Sequence, residues 1–217
     1  MDFAAARFNM VESQIRTNRV IEPRIVRALG AVPREMFVSK PMRAFAYVDE
    51  DLDVGAGRVV MKPLILAKLL EAAGIKDSDV VLNIGDCTGY VTAVLARLAQ
   101  TVVSIEADPE MVARSGQTLT SLGVDNAAVV QGPYVGGYPA QAPFDVIFLS
   151  GALSEIPVEL RRQLADGGRL VGVVDDGKGI GRGTVLVRVG DSWGSRVVFD
   201  GTTARLPMPA ARPAFRF

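Results

Sequence analysis

The chain has 217 residues, 49% of them hydrophobic and 22% charged, which is ample for one domain with a large core and some appendages. Lys plus Arg equals Asp plus Glu at 24 each, so no net field draws the chain to nucleic acid or to a membrane surface. One cysteine and no histidine exclude an intrachain disulfide, a cysteine-based zinc site, and the Ser-His and Cys-His hydrolases.

No apolar run reaches the length of a membrane span, and Met1-Asp2-Phe3-Ala4 lacks the basic-then-apolar order of a signal peptide, so a cytoplasmic location is expected. From Phe3 to Arg19 the spacing of Phe8, Val11 and Ile15 predicts an amphipathic helix with Arg7, Glu12 and Arg16 outward. Pro23 opens a second helix carrying Ile25, Val26 and Leu29, with Gly30 as its stop. Ala31 to Val38 starts a short turn or helix, and residues 47–63 read as a loop with two glycines. Pro63 opens a helix whose Ile65, Leu66, Leu69 and Leu70 share one face, and Gly74 stops it.

The stretch from Asp79 to Glu106 organises the rest. Val80 to Ile84 is a β-branched apolar run, a buried strand by composition. It breaks into Gly85-Asp86-Cys87-Thr88-Gly89, after which Val91, Val94, Leu95 and Leu98 follow helical spacing. A second β-branched run, Thr101 to Ile105, ends in Glu106, 21 positions after Gly85. In such a unit glycines let a ligand approach the backbone, and the carboxylate ending the second strand accepts both hydroxyls of a ribose. A dinucleotide site wants G-x-G-x-x-G. Gly85 and Gly89 instead fit G-x-G-x-G, the spacing of S-adenosylmethionine-dependent methyltransferases, with Cys87 at the middle glycine. Methyl transfer to a carboxylate tolerates the lack of histidine, because a carboxylate of pKa about 4 is already ionised at neutral pH.

Further on, a helix runs from Pro109 to Gly123 and a strand from Ala127 to Gln131. Asp145 to Leu149 is the next strand, Pro157 to Leu164 the next helix, and Gly167-Gly168 turns into the strand Arg169 to Val174. Asp175 to Gly183 is a glycine-rich connection, Thr184–Val189 and Arg196–Phe199 pair antiparallel around Gly190-Asp191, and the tail from Leu206 is expected to lie extended on the surface.

Four stretches, Ala31 to Val38 (AVPREMFV), Tyr47 to Pro63, Val81 to Ala96 (VLNIGDCTGYVTAVLA) and Ala142 to Leu170, together resemble the protein-L-isoaspartate O-methyltransferase family. The resemblance implies an α/β fold: a Rossmann-like S-adenosylmethionine-dependent methyltransferase, its sheet mostly parallel with an antiparallel strand near the C-terminus, under an N-terminal helical cap. It implies one domain, with the cap over 1–46, a substrate loop and helix over 47–74, the core over 75–189, and a C-terminal strand and tail over 190–217. The implied cofactor is S-adenosylmethionine. The implied partner is a protein or peptide bearing isoaspartyl residues, with neither nucleic acid nor membrane, and the oligomeric state is open.

By the same resemblance, Gly85 and Gly89 form the cofactor turn, Glu106 holds the ribose, and Gln131 to Tyr134 pass beside adenine. Ser150 faces the methyl group, and Gly55 to Pro63 is the substrate loop. That loop typically reads T-I-S-x-P in the family and reads Val59-Val60-Met61-Lys62-Pro63 here, so two hydroxyl donors are replaced by Val59 and Met61, and Lys62 is either a solvated helix-start residue or a substitute charge. Asn83 stands for a glutamate, Cys87 for a glycine and Pro133 for an aspartate in the cofactor pocket. At roughly 1 kcal/mol or more for each altered contact, these changes imply weakened cofactor binding. Cys87 is either a small residue filling the turn or a reactive thiol at a helix start. Two functions stay open: a protein carboxyl methyltransferase, or a catalytically decayed homologue acting as a binding or interaction protein. A dinucleotide oxidoreductase is disfavoured by the missing G-x-x-G ending.

Overall fold

The computed structural model describes residues 1–207. Its first helix, α1 (Phe3–Asn9), is capped by Asp2, whose carboxylate accepts the amide of Ala5 at 3.0 Å. At Met10 the winding loosens into a π-helical turn, Met10–Ile15, followed by a single 3-10 turn, Arg16–Asn18. The buried side chains are therefore Met10, Val11 and Ile15, spaced for the wider π turn. Phe8, expected on the inner face, is 64% exposed. Helix α2 (Pro23–Ala31) runs past its expected stop at Gly30 and ends where Val32, extended at φ −82° and ψ 120°, precedes Pro33.

The expected loop over 47–63 instead contains a small hairpin. Strands β1 (Leu52–Gly55) and β2 (Arg58–Val60) pair antiparallel, with Leu52 opposite Val60. The link between them, Gly55-Ala56-Gly57, has φ values of 94°, 54° and 68°. So few paired residues carry no periodic signal. Helix α3 (Pro63–Ala73) follows and stops at Gly74, in the left-handed region at φ 52°.

Seven strands make the main sheet: β3 (Val80–Ile84), β4 (Thr101–Glu106), β5 (Ala127–Gln131), β6 (Phe144–Leu153), β7 (Leu164–Val174), β8 (Arg182–Val189) and β9 (Ser192–Asp200). Their spatial order is β5-β4-β3-β6-β7-β8-β9. Neighbours are parallel as far as β7, and β8 runs antiparallel to both β7 and β9. This is the expected sheet. Helices α4 (Tyr90–Ala96) and α5 (Pro109–Ser121) cross between the first strands. The helix expected over 157–164 shrinks to α6 (Val158–Arg161), because Leu164 already pairs with Phe144. Pairing resumes at Arg169 opposite Val146, so the residues between loop out around Gly167 at φ 74°.

Alternation along the parallel strands divides the core in two. Val81, Val102, Val146 and Val171 face α3, α4 and the cap, while Leu82, Val103, Ile147 and Leu170 face Leu160 of α6. Each fully buried valine or leucine contributes roughly 1.5–3 kcal/mol. Continuous apolar strands are what a sheet covered on both faces requires.

After β9 the chain doubles back over the C-terminal edge of the sheet. Ala152 donates its amide to Ala204 and accepts that of Leu206, both at 2.9 Å. Asp51 accepts the Thr203 hydroxyl at 2.8 Å and the Ala204 amide at 3.0 Å. The expectation that the tail lies on the surface from Leu206 onward fails at its first residue, since Leu206 is only 6% exposed. The rest of that tail, 208–217, lies outside the described residues.

Candidate functional site

The glycine turn has the geometry its sequence demands. Gly85 (φ 82°) leaves β3 and Gly89 (φ 88°) enters α4, both in the region that L side chains avoid. Between them Asp86, buried, accepts the amides of Gly89 (3.0 Å) and Thr92 (2.7 Å) and the Thr92 hydroxyl (2.8 Å). Burial pushes its carboxyl above the ordinary range, while those donors pull it back. Sequence reasoning passed over Asp86 as a turn residue; its burial is the tertiary feature that gives it this capping role.

Asn83 and Ser150 meet beneath this turn. The Ser150 hydroxyl donates to Asn83 Oδ1 at 2.7 Å, and Asn83 Nδ2 donates to Thr92 Oγ1 at 3.1 Å. Both residues are buried, so the pair is a closed internal link between β3, β6 and α4. Cys87 is buried too, and its thiol donates to the Val59 carbonyl at 3.4 Å. Burial, and then the charge of Asp86, push the thiol up to about 12. Of the two readings of Cys87, the turn-filling one fits this geometry, because reactivity needs a thiolate.

Glu106 ends β4 with its side chain fully buried and fully engaged. Oε1 accepts the amides of Ala107 (2.8 Å) and Asp108 (3.0 Å) and the Tyr134 hydroxyl. Arg58, from β2, grips the same carboxylate with both guanidinium ends, Nη1 to Oε1 and Nη2 to Oε2, each at 3.0 Å. Arg58 Nη2 also reaches the Gly85 carbonyl at 2.7 Å, and Nη1 meets the Tyr134 hydroxyl. Burial lowers the affinity of Arg58 for its proton, but the hydrogen bonds and charge of Glu106 outweigh this and hold it above its ordinary value. The Tyr134 phenol is raised by burial and then by its bond to Glu106. Arg58 therefore spans the two features that the sequence assigns to a nucleoside, the glycine turn and the distal acid.

Leu206 covers the remaining approach. A Cβ built on Gly85 would collide with its Cδ2, and one on Gly151 would stand 2.7 Å from the same carbon. The glycines that bare the backbone to a ligand here bare it to the chain's own leucine.

The expected substrate residues lie alongside. Met61 is 1% exposed and packs in the core, where a catalytic role has no access to substrate; its carbonyl accepts Arg34 Nη2 at 2.9 Å. Arg34, fully buried, also donates to the carbonyls of Ala46 (2.7 Å) and Val60 (3.4 Å), so the AVPREMFV segment anchors this loop. Val60 is buried as well, while Val59 and Lys62 are partly exposed and Pro133 is exposed. Thus Asn83, Gly85, Cys87, Gly89, Glu106 and Ser150 gather at the C-terminal ends of β3, β4 and β6. Met61 faces inward and Pro133 outward. Arg58 is the site residue that the motif pattern does not single out; its available signal is an arginine next to Gly55-Ala56-Gly57 and followed by apolar residues.

The profile of the family described as Protein-L-isoaspartate(D-aspartate) O-methyltransferase matches residues 6–190. The chain belongs to the protein-L-isoaspartate O-methyltransferase family. It is 41% identical over 165 residues to Protein-L-isoaspartate O-methyltransferase 2 of Anaeromyxobacter sp. (strain Fw109-5), covering 76% of this chain and 68% of that one. It is also 41% identical over 168 residues to the Methanoculleus marisnigri protein of that family, covering 77% and 76%. A solved protein-L-isoaspartate O-methyltransferase superposes with a TM-score of 0.81 at 25% identity, over 92% of this chain but only 65% of its own. A Plasmodium falciparum structure, described as a family member in complex with S-adenosyl-L-homocysteine, shares the fold at TM-score 0.79 and 16% identity, covering 96% and 100%.

Family and fold imply an S-adenosylmethionine site, and the residues present do not fit that ligand in this arrangement. A carboxylate offers about four lone-pair positions, and Glu106 already accepts five hydrogen bonds. Four of the five fall on Oε1 and Arg58 takes Oε2 as well, so a ribose diol finds no pair of free oxygens to bridge while Arg58 stays, and Leu206 fills the space above Gly85.

Proposed function

We propose that this family member is a protein-L-isoaspartate O-methyltransferase-like protein whose reaction is methyl transfer from S-adenosylmethionine to a protein or peptide carboxylate. The observation that carries this reading is the Gly85–Gly89 turn with Glu106 at the end of the adjoining parallel strand, set within a family match over residues 6–190. Histidine is dispensable for such chemistry, since the acceptor carboxylate carries its own negative charge. The finer assignment, an isoaspartyl carboxylate as acceptor, rests on the family name alone. The substrate loop lacks hydroxyls at Val59 and Met61, and the Met61 side chain is buried.

A second reading is favoured by the pairing of Arg58 with Glu106: a homologue that retains the scaffold for binding or interaction without turnover. Methyl-ester release from an isoaspartyl peptide, with S-adenosylmethionine supplied, separates the two. Turnover by the wild type above the enzyme-free background supports the enzyme. No release by the wild type, nor by a variant that binds cofactor, favours the second reading.

A further inference from the structure

We infer that the adenosine cleft is occupied by the protein itself, with Arg58 in place of the ribose and Leu206 lying on the glycine turn, so that S-adenosylmethionine binds only by displacing both. The inference rests on the cofactor site assigned above and adds a constraint on it.

The two side chains arrive from separate parts of the chain and meet the same hollow. Arg58 is 5% exposed and makes four hydrogen bonds there, with both Glu106 oxygens, the Gly85 carbonyl and the Tyr134 hydroxyl. The bidentate geometry imitates what a vicinal diol offers an acid, two parallel donors to two oxygens, and adds a full charge. Leu206 is delivered by the strap over the sheet edge, which Ala152 and Asp51 hold through backbone and side-chain hydrogen bonds. Asp51 also accepts the Lys62 amide at 2.8 Å. One aspartate thus ties the strap that carries Leu206 to the loop that carries Arg58.

The element that carries Arg58 is held against the main sheet by side chains and not by strand pairing. Strands β1 and β2 form a two-stranded sheet of their own, outside the seven-stranded one, with an exposed tip at Gly55-Ala56-Gly57. Moving it breaks few ladder bonds, whereas Glu106 and Gly85 sit on the central strands. A site whose competent form is a minor population binds with an affinity reduced by that fraction.

Calorimetric titration with S-adenosylhomocysteine of the full chain, Arg58→Gln, Leu206→Ala and the double variant tests this. Circular dichroism checks that each is folded. The wild type is expected to bind no tighter than millimolar and the double variant at least tenfold tighter, with Leu206→Ala between them. Micromolar binding by the wild type with no gain in the variants overturns the inference, as does absence of binding in all four. Should Arg58→Gln fail to fold, Leu206→Ala decides alone: an unchanged affinity overturns the inference and a severalfold gain upholds it. If the double variant binds but methylates no isoaspartyl peptide, the self-occupied cleft stands and the substrate assignment falls.

Discussion

Replacing Arg58 with methionine should destabilise the fold by about 3 kcal/mol, and the figure can be built from the site. Opposite charges about 4 Å apart attract by roughly 4 kcal/mol at an effective dielectric of 20, and breaking a buried pair from one side costs about 3–5 kcal/mol. Methionine keeps most of the apolar stem, so the loss is chiefly electrostatic. Glu106 retains the amides of Ala107 and Asp108 and the Tyr134 hydroxyl, which places the cost at the lower end of that range. The Gly85 carbonyl loses a donor as well. Urea unfolding followed by circular dichroism gives the single value, and the cycle with Glu106→Gln isolates the pair. A coupling of roughly 2 kcal/mol is expected, the double variant being less damaged than the sum of the singles. For a chain of this size the single change should lower Tm by roughly 6–12 °C. A loss below 0.5 kcal/mol, or coupling indistinguishable from zero, would mean that Arg58 does not reside on Glu106, and the argument for a closed cleft would go with it.

Gly151→Ala should cost about 1–3 kcal/mol, because its Cβ would stand 2.7 Å from Leu206 Cδ2 and 3.1 Å from the Ala204 carbonyl; measured again in a Leu206→Ala background, most of that cost should vanish, and an equal cost in both would place the strap elsewhere. Asp86→Ala strands four donors at the head of α4, the amides of Thr88, Gly89 and Thr92 and the Thr92 hydroxyl, and should destabilise by roughly 2–4 kcal/mol, while Asp86→Asn, which keeps one acceptor, should cost less in the same denaturation assay. Cys87 sets a pH signature. Its thiol is raised from 9.0 to about 12 in the folded protein, so the neutral form is favoured by folding, and that stability is present below pH 9 and lost as pH rises toward 12. Between pH 8 and pH 10 the wild type should therefore lose about 1.4 kcal/mol more than Cys87→Ala, and parallel pH profiles would contradict the burial of the thiol.

Much of the architecture was written locally. Pro23, Pro63 and Pro109 each open a helix, Gly74 closes one in the left-handed region, two β-branched runs became β3 and β4 within a residue of their expected bounds, and Ala127–Gln131 became β5. Gly85, Gly89 and Glu106 were legible as parts of a strand, glycine turn, helix and strand unit, and the structure sets both glycines at positive φ and Glu106 at the end of β4. Misreadings came where a local pattern admits two outcomes. Phe8, Val11 and Ile15 satisfy an α-helical face, yet the π turn puts Met10 inside. Pro157 to Leu164 reads as a helix, yet Leu164 is claimed by pairing with Phe144.

What the sequence by itself determined is the order of strands and helices, the helix boundaries that proline and glycine set, and the place of an acid at the end of β4. Only the tertiary structure decided what that acid touches. Arg58 lies 48 positions from Glu106 and Tyr134 lies 28, and Leu206 meets Gly85 from the far end of the described chain. Periodicity and capping are properties of neighbouring residues, whereas a carboxylate's partner is whichever donor the folded chain delivers to it.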